Sequence, residues 1–269
     1  MRKISANSIL PVSSPPLLNG IITVDKDGRI LDLQDTGGML REEPGLEYYN
    51  GFIVPGFVIP WVRLDEVSGI RVLDHDLHKN GIKGIGLVLN ESMASDGGFQ
   101  LMAKSSTFYH PVIELCPESG EEEFEVFNRG INLISHAWNE FNLSCSLTIC
   151  SQALNPGDLG KYLDEYSSSH KNMVPPPDPG SHIHGPAEHL IVSFPSSSLN
   201  IMNIIQLSHP RKDIKEVLPW YTLDAAAAIF EGNELGSIEP GKNAGLNLIT
   251  GLDPETSRIT DKTCVKVLV

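Results

Sequence analysis

The chain has 269 residues, 41% of them hydrophobic, and its 34 acidic against 20 basic side chains give a formal charge of −14. That length and apolar content suffice for one large core with a small accessory one. The carboxylate excess repels phosphate backbones and anionic headgroups, so neither nucleic acid nor membrane is an expected partner.

The opening MRKISANSILPVSSPP has no continuous apolar stretch before Pro11, so no signal peptide is expected, and no apolar run in the chain approaches the ~20 residues of a membrane helix. Beyond it, Gly20–Val24 reads as a strand, Asp25–Gly28 as a turn and Arg29–Leu33 as the returning strand. An Asp-Gly step between alternating apolar residues is a hairpin signal. Phe52–Val54 and Phe57–Ile59 are short apolar strands around Pro55-Gly56, and the second runs on to place Trp61 and Arg63 on one face. Leu64–Asn80 reads as a helix ending before Gly81, and Ile82–Leu89 as a buried strand. Such alternation points to α/β units with parallel strands.

Further along, Thr107–Leu115 is rich in strand formers. Glu121–Phe141 has helical spacing, with Phe124, Phe127, Ile131 and Ile134 on one face, and Glu121–Glu123 read as a solvated turn or helix start. Asn142–Cys150 is a candidate strand and Asp158–Ser167 a candidate helix. The four prolines of VPPPDPGSHIHG (174–185) exclude a regular helix or a central strand there. Leu190–Phe194 is a short strand and Asn200–Leu207 begins a helix. Asp213–Phe230 is helical with a break at Pro219, and strands follow Gly236 and at Cys264–Val269. The cysteines Cys116, Cys145, Cys150 and Cys264 form no CxxC pair and read as buried thiols of a reducing compartment, which makes the expected location cytoplasmic.

Two segments are specific in combination: NGFIVPGFV at 50–58, and TLDAAAAIFEGNELGSIEPGKNAGLNLI at 222–249. In this order, with β segments outside both, the chain resembles the metal-dependent amidohydrolase superfamily, nearest its cytosine deaminase and aminodeoxyfutalosine deaminase types. YHPVIEL (109–115) and NLSCSLTICSQALNPGDLGKYLDEY (142–166) add weaker likeness. The resemblance implies an α/β fold. A TIM-barrel-like domain would occupy 53–235, with a small β-sandwich from residues 1–52 and 236–269. It also implies hydrolysis of non-peptide C–N bonds with a zinc or iron cofactor at the C-terminal mouth of the barrel. The metal there would lower the pKa of a bound water to ~7.

The ligand positions of that family do not hold ligands here. Alignment on PGFV sets Trp61 and Arg63 where the family has its H-x-H pair. Indole has no available lone pair, and guanidinium is permanently protonated without an acceptor. The middle strand offers Leu147-Thr148-Ile149 in place of a histidine, and Phe194-Pro195-Ser196 stands where an aspartate belongs. The stretch that would form the barrel is also short, about 180 residues against the ~250 usual for eight units. The expectation is therefore an incomplete barrel without a metal site, in a non-catalytic binding or scaffold protein with no catalytic residue and no cofactor. A small-molecule ligand in the old cleft, a homo-oligomer or a partner chain completing the barrel are its expected partners.

The rival metal cluster is His182 and His184 with Glu188, alternating imidazoles plus a carboxylate in a proline-rich loop, which would make the chain an active zinc or iron hydrolase with a rebuilt site. Asp74 and His78 are i,i+4 neighbours on a helix and read as a solvated pair. His110 reads as a packed histidine. Arg63 is expected in a salt bridge with a nearby carboxylate such as Asp65 or Glu66, with capture of an anionic ligand as the alternative. Trp61 reads as filler of the vacated pocket.

Overall fold

The computed structural model describes residues 1–63, 69–115, 123–143, 145–149, 192–193, 201–209 and 211–269, with Trp61, Val72, Glu123, Phe124, Phe127, 146–149, 192–193, Ile204, Leu207 and Ser208 described by their backbone alone. Strands from both ends of the chain meet in one mixed seven-stranded sheet. Its members are β1 (Arg2–Ile9), β2 (Leu17–Leu18), β3 (Ile21–Val24), β4 (Ile30–Gln34), β5 (Leu46–Pro55), β11 (Leu246–Thr250) and β12 (Cys264–Val267), in the order β12-β11-β5-β1-β3-β4 with β2 paired to β1. The expected hairpin is β3–β4, antiparallel from Ile21↔Gln34 to Val24↔Ile30. Asp25 Oδ1 accepts from the backbone N–H groups of Asp27 and Arg29 and shapes its turn.

The termini are tied to this sheet by charge as well as by strand pairing. Arg2 donates through Nε and Nη2 to the two carboxylate oxygens of Glu47, each at 2.9 Å, and through Nη1 to the carbonyl of Leu268. The guanidinium, with the Tyr49 hydroxyl, pulls the Glu47 carboxyl down to about 2. Ile4, Ile9, Ile22, Ile30, Ile53 and Leu246, all fully buried, form the core of the sheet.

The second sheet is parallel and five-stranded: β10 (Val192–Ser193), β6 (Phe57–Arg63), β7 (Ile82–Asn90), β8 (Phe108–Leu115) and β9 (Ser146–Ile149), in that spatial order. A parallel ladder needs a crossover between successive strands. These include α1 (Gly69–Lys79) and α4 (Glu123–Phe141). Between β7 and β8 lie α2 (Glu91–Met93), a π turn (Ala94–Gly98) and α3 (Phe99–Ala103), a helical segment that the Gly97-Gly98 pair conceals in the sequence. Asn90 caps it, its Oδ1 accepting from Met93 N at 2.8 Å. Ile70, Leu73 and Leu77 of α1, Phe99 and Met102 of α3, and Val126 and Ala137 of α4 share one core with Val62, Ile85, Leu87, Leu89 and Ile113. Burial of each large aliphatic side chain in this layer contributes about 1.5–3 kcal/mol relative to exposure. On α4 Val126 and Ala137 are fully buried, and of the expected face Ile131 is buried and Ile134 packs partly buried against the same core; the side chains of Phe124 and Phe127 lie outside the described ones.

The opposite face of the parallel sheet carries a different cover. After α5 (Ile201–Ser208) and α6 (Ile214–Val217), a 3₁₀ turn at Leu218–Tyr221 makes the break expected at Pro219, and α7 (Leu223–Ala228) follows. Ala225, Ala226, Ile229 and Leu235 pack with Val58 and Phe108. Gly84 and Gly86 let this segment approach. A methyl on Gly84 would lie 2.5 Å from Leu235 Cδ1, and one on Gly86 would lie 2.0 Å from the Pro60 carbonyl oxygen. The two sheets are clasped by Asn247, 1% exposed on β11, whose Nδ2 donates to the Gly81 carbonyl at 2.7 Å.

Candidate functional site

The C-terminal ends of β6, β7, β8, β9 and β10 carry Arg63, Asn90, Glu114, Thr148 and Ser193 to a common edge. In a parallel ladder, paired residues point to the same face. The register Gly84↔Phe108, Gly86↔His110, Val88↔Val112 and Asn90↔Glu114 therefore puts His110 and Glu114 on the α7 side of the sheet. Thr148 pairs with Glu114, and Ser193 with Arg63.

How Arg63 reaches that face corrects the simple strand reading. The β6–β7 register runs Val58↔Gly84, Ile59↔Ile85 and then Val62↔Leu87, Arg63↔Val88, so β6 holds one extra residue between Ile59 and Val62. Pro60 lies inside that bulge and has no N–H to give to the ladder. Past the bulge the faces exchange. Arg63 joins Val58, Gly86 and Val88 instead of following Ile59 onto the helix-covered side.

On that face Arg63 Nη2 donates to Glu114 Oε1 at 2.6 Å; the arginine side chain is 51% exposed and the glutamate 16%. A salt bridge thus exists for Arg63, with a carboxylate two strands away; Asp65 and Glu66, the local partners expected from the sequence, lie outside the described residues. A local carboxylate is close in sequence; Glu114 is close because the ladder brings it there. One signal was available: YHPVIEL has a glutamate one residue before its strand ends, and strand ends are where this architecture gathers polar groups.

Below the rim, His110 is 2% exposed on β8 and its ring stands 5.5 Å from that of Phe230. Burial alone pushes its pKa down to about 4, so the ring is neutral near pH 7. This is the packed histidine expected from the sequence. Asp74 does not behave as the solvated partner of His78: its Oδ1 accepts from the Ser105 hydroxyl and joins α1 to the loop after α3. Burial, with Asp74 nearby, raises the Tyr109 hydroxyl well above its ordinary value. Cys145 is a half-buried thiol pushed up to about 12 by desolvation, whereas Cys264 is exposed because it opens an edge strand, against the expectation of buried cysteines. The candidate helix at 158–167, the strand end Phe194-Pro195-Ser196 and the alternative cluster His182, His184 and Glu188 lie outside the described residues, as do Cys116 and Cys150.

The residues present at the rim do not fit a divalent cation. Arg63 brings a positive charge where a ligand would stand, and it occupies an oxygen of Glu114, the carboxylate on this edge among the described residues. Among the described residues no three of histidine, cysteine, aspartate and glutamate are grouped to hold a metal.

No family model matches the sequence, and no curated protein matches it. Solved structures do. The Helicobacter pylori aminofutalosine deaminase in complex with methylthio-coformycin superimposes with a TM-score of 0.59 at 12% identity, covering 96% of this chain and 94% of that one. A dihydroorotase gives a TM-score of 0.55 at 14% identity over 99% and 92% of the two chains. An adenosine deaminase from Xanthomonas campestris with bound zinc gives 0.53 at 13% identity over 92% and 84%. The chain is thus a mixed α/β protein that resembles members of the amidohydrolase superfamily in fold. At these identities the likeness is one of architecture, and function has to be argued from the site.

Proposed function

We propose that this chain is a non-catalytic binding or scaffold protein of the cytoplasm, built on a shortened amidohydrolase-type barrel whose metal site has been replaced by an ion pair. In this reading residues 53–235 are the incomplete barrel, and 1–52 with 236–269 form the accessory β unit. The pairing of the late strand β10 beside β6, the first parallel strand, supports a barrel-like return with few strands between. The thiols of Cys145 and Cys264 and the lack, among the described residues, of a helix long and apolar enough to cross a membrane agree with the location.

The observation that carries the proposal is the 2.6 Å contact between Arg63 and Glu114. A hydrolytic centre needs electron-pair donors that hold an ion and a base that takes a proton from water. Here the base candidate is ion-paired with a guanidinium, and His110, on the same strand and face as Glu114, is packed against Phe230 below the rim. About half of the Arg63 side chain stays exposed beside the pair, and in this reading its positive charge draws an anionic small molecule to the cleft.

Ammonia release tests this directly. Full-length protein, supplied separately with zinc and iron, is incubated with adenosine and guanine, and with dihydroorotate for ring opening. The proposal predicts no turnover above the protein-free rate. Turnover that a chelator removes and that His182→Ala/His184→Ala abolishes would instead establish the rebuilt metal site.

A further inference from the structure

We infer that Asn50–Gly51 is a modification site, at which the folded chain loses ammonia and becomes isoaspartyl or aspartyl, and that the side chain of Asn7 sets the rate. Hydroxide removes the proton of the Gly51 N–H, and the nitrogen attacks Asn50 Cγ. The Cγ–Nδ2 bond breaks and Nδ2 leaves as ammonia. Water then opens the cyclic imide at either carbonyl, and one of the two products carries the main chain through the former side chain of residue 50. Water is the sole co-reactant, and no electrons change hands.

The chain holds three Asn-Gly steps, at 19–20, 50–51 and 80–81. Ring closure needs an asparagine side chain free to turn and a following N–H free to lose its proton. Asn80, half-buried just past α1, meets neither condition. Its Nδ2 donates to the Asp76 carbonyl at 2.8 Å, and the Gly81 N–H donates to the His78 carbonyl at 3.1 Å. Asn19, also half-buried, is held at both ends of its amide: Oδ1 accepts from the Tyr48 hydroxyl at 2.9 Å, and Nδ2 donates to the Gly38 carbonyl at 2.8 Å. Asn50 is exposed, and its side-chain amide makes no hydrogen bond among the described residues.

A bulge sets this step apart from the regular ladder. β1 and β5 pair Ala6↔Tyr49 and then Ser8↔Phe52, so Asn50 and Gly51 together stand opposite Asn7. The Gly51 N–H, left off the ladder, donates to Asn7 Oδ1 at 2.7 Å, which ties up the nucleophile. Asn7 is itself exposed, and its Nδ2 donates to the Tyr48 hydroxyl at 3.2 Å. The glycine is not exchangeable: its φ is +142°, and a methyl there would meet the Ile249 carbonyl oxygen at 2.5 Å. The terminal sheet thus requires the labile dipeptide, and its protection rests on one side chain in contact with water.

Full-length wild type, Asn7→Ala and Asn7→Asp, kept in warm, mildly alkaline buffer and then digested, are scored for isoaspartate and aspartate at the three steps by mass spectrometry. Wild type should be modified at residue 50 first. Asn7→Ala should raise the rate at 50 several-fold and leave Asn80 at its wild-type rate. Asn7→Asp keeps an acceptor for the Gly51 N–H and should stay near wild type. Asn80, beside the parallel sheet, reports on folding: acceleration at all three steps marks an unfolded variant, and the order of modification in wild type then decides alone. Modification of residue 19 or 80 ahead of 50 in wild type, or an unchanged rate at 50 in folded Asn7→Ala, would overturn the inference.

Discussion

Arg63 and Glu114 stand on β6 and β8, with the whole of β7 between them, yet their side chains meet at 2.6 Å because a bulge at Pro60–Trp61 turns Arg63 onto the face of Glu114. The contact ties the ends of two strands of the parallel sheet together across the strand between them. Arg63→Ala leaves a mostly buried carboxylate without its cation and should cost about 1–2 kcal/mol. Half the arginine is in water, so the coupling energy from a cycle with Glu114→Ala should be smaller, about 1 kcal/mol. Urea unfolding of the four proteins measures it; a coupling of zero would mean that the pair does not hold the rim.

His110 predicts a pH dependence. Its folded pKa, about 4, lies below the ordinary 6.5. The unfolded chain therefore takes up a proton as pH falls below 6.5, while the folded protein does so only near 4. Stability is full above 6.5 and is lost through that window, by up to about 3 kcal/mol. His110→Gln should flatten the urea midpoint between pH 6.5 and 4, and an unchanged slope would assign the acid sensitivity elsewhere.

Asn247 joins the sheets through a buried amide, and Gly81 accepts it from a backbone with φ of +72°. Asn247→Ala removes one of the two hydrogen bonds that the Gly81 carbonyl accepts, leaving the one from Phe57 N–H at 2.9 Å, and should cost about 0.5–1.5 kcal/mol. All three tryptophans, Trp61, Trp138 and Trp220, lie outside the terminal sheet. If the clasp couples the two sheets, the fluorescence and far-UV circular dichroism transitions, coincident in wild type, should separate in the variant.

Two glycine substitutions give opposite outcomes. Gly86→Ala sets a methyl 2.0 Å from the Pro60 carbonyl oxygen and should abolish folding or cost more than about 3 kcal/mol. Gly232→Ala meets nothing nearer than 3.8 Å at ordinary φ and should change stability by less than about 0.5 kcal/mol. Similar midpoints for the two in guanidinium would contradict the close approach of the Pro60 bulge of β6 to β7.

The strands that alternate cleanly or run apolar between turn signals, such as Ile21–Val24 and Ile82–Asn90, were legible in the sequence. So was the helical break at Pro219. The helical segment at 91–103 was not, because Gly97 and Gly98 suppress the propensity signal that Asn90 and Glu91 begin. At the rim, Arg63 was legible as a residue unfit to bind a metal. Its partner was not: the Glu114 contact depends on a bulge and a parallel register, and neither leaves a trace in local sequence. The apposition of His110 and Phe230, 120 positions apart, is hidden for the same reason.

Metal content bears on the central claim most directly. Protein expressed in medium supplemented with zinc and iron, purified without chelator and analysed by inductively coupled plasma mass spectrometry, should carry far less than one transition-metal ion per chain. One tightly held ion per chain, retained after gel filtration and lost together with any C–N hydrolysis on chelation, would contradict the account.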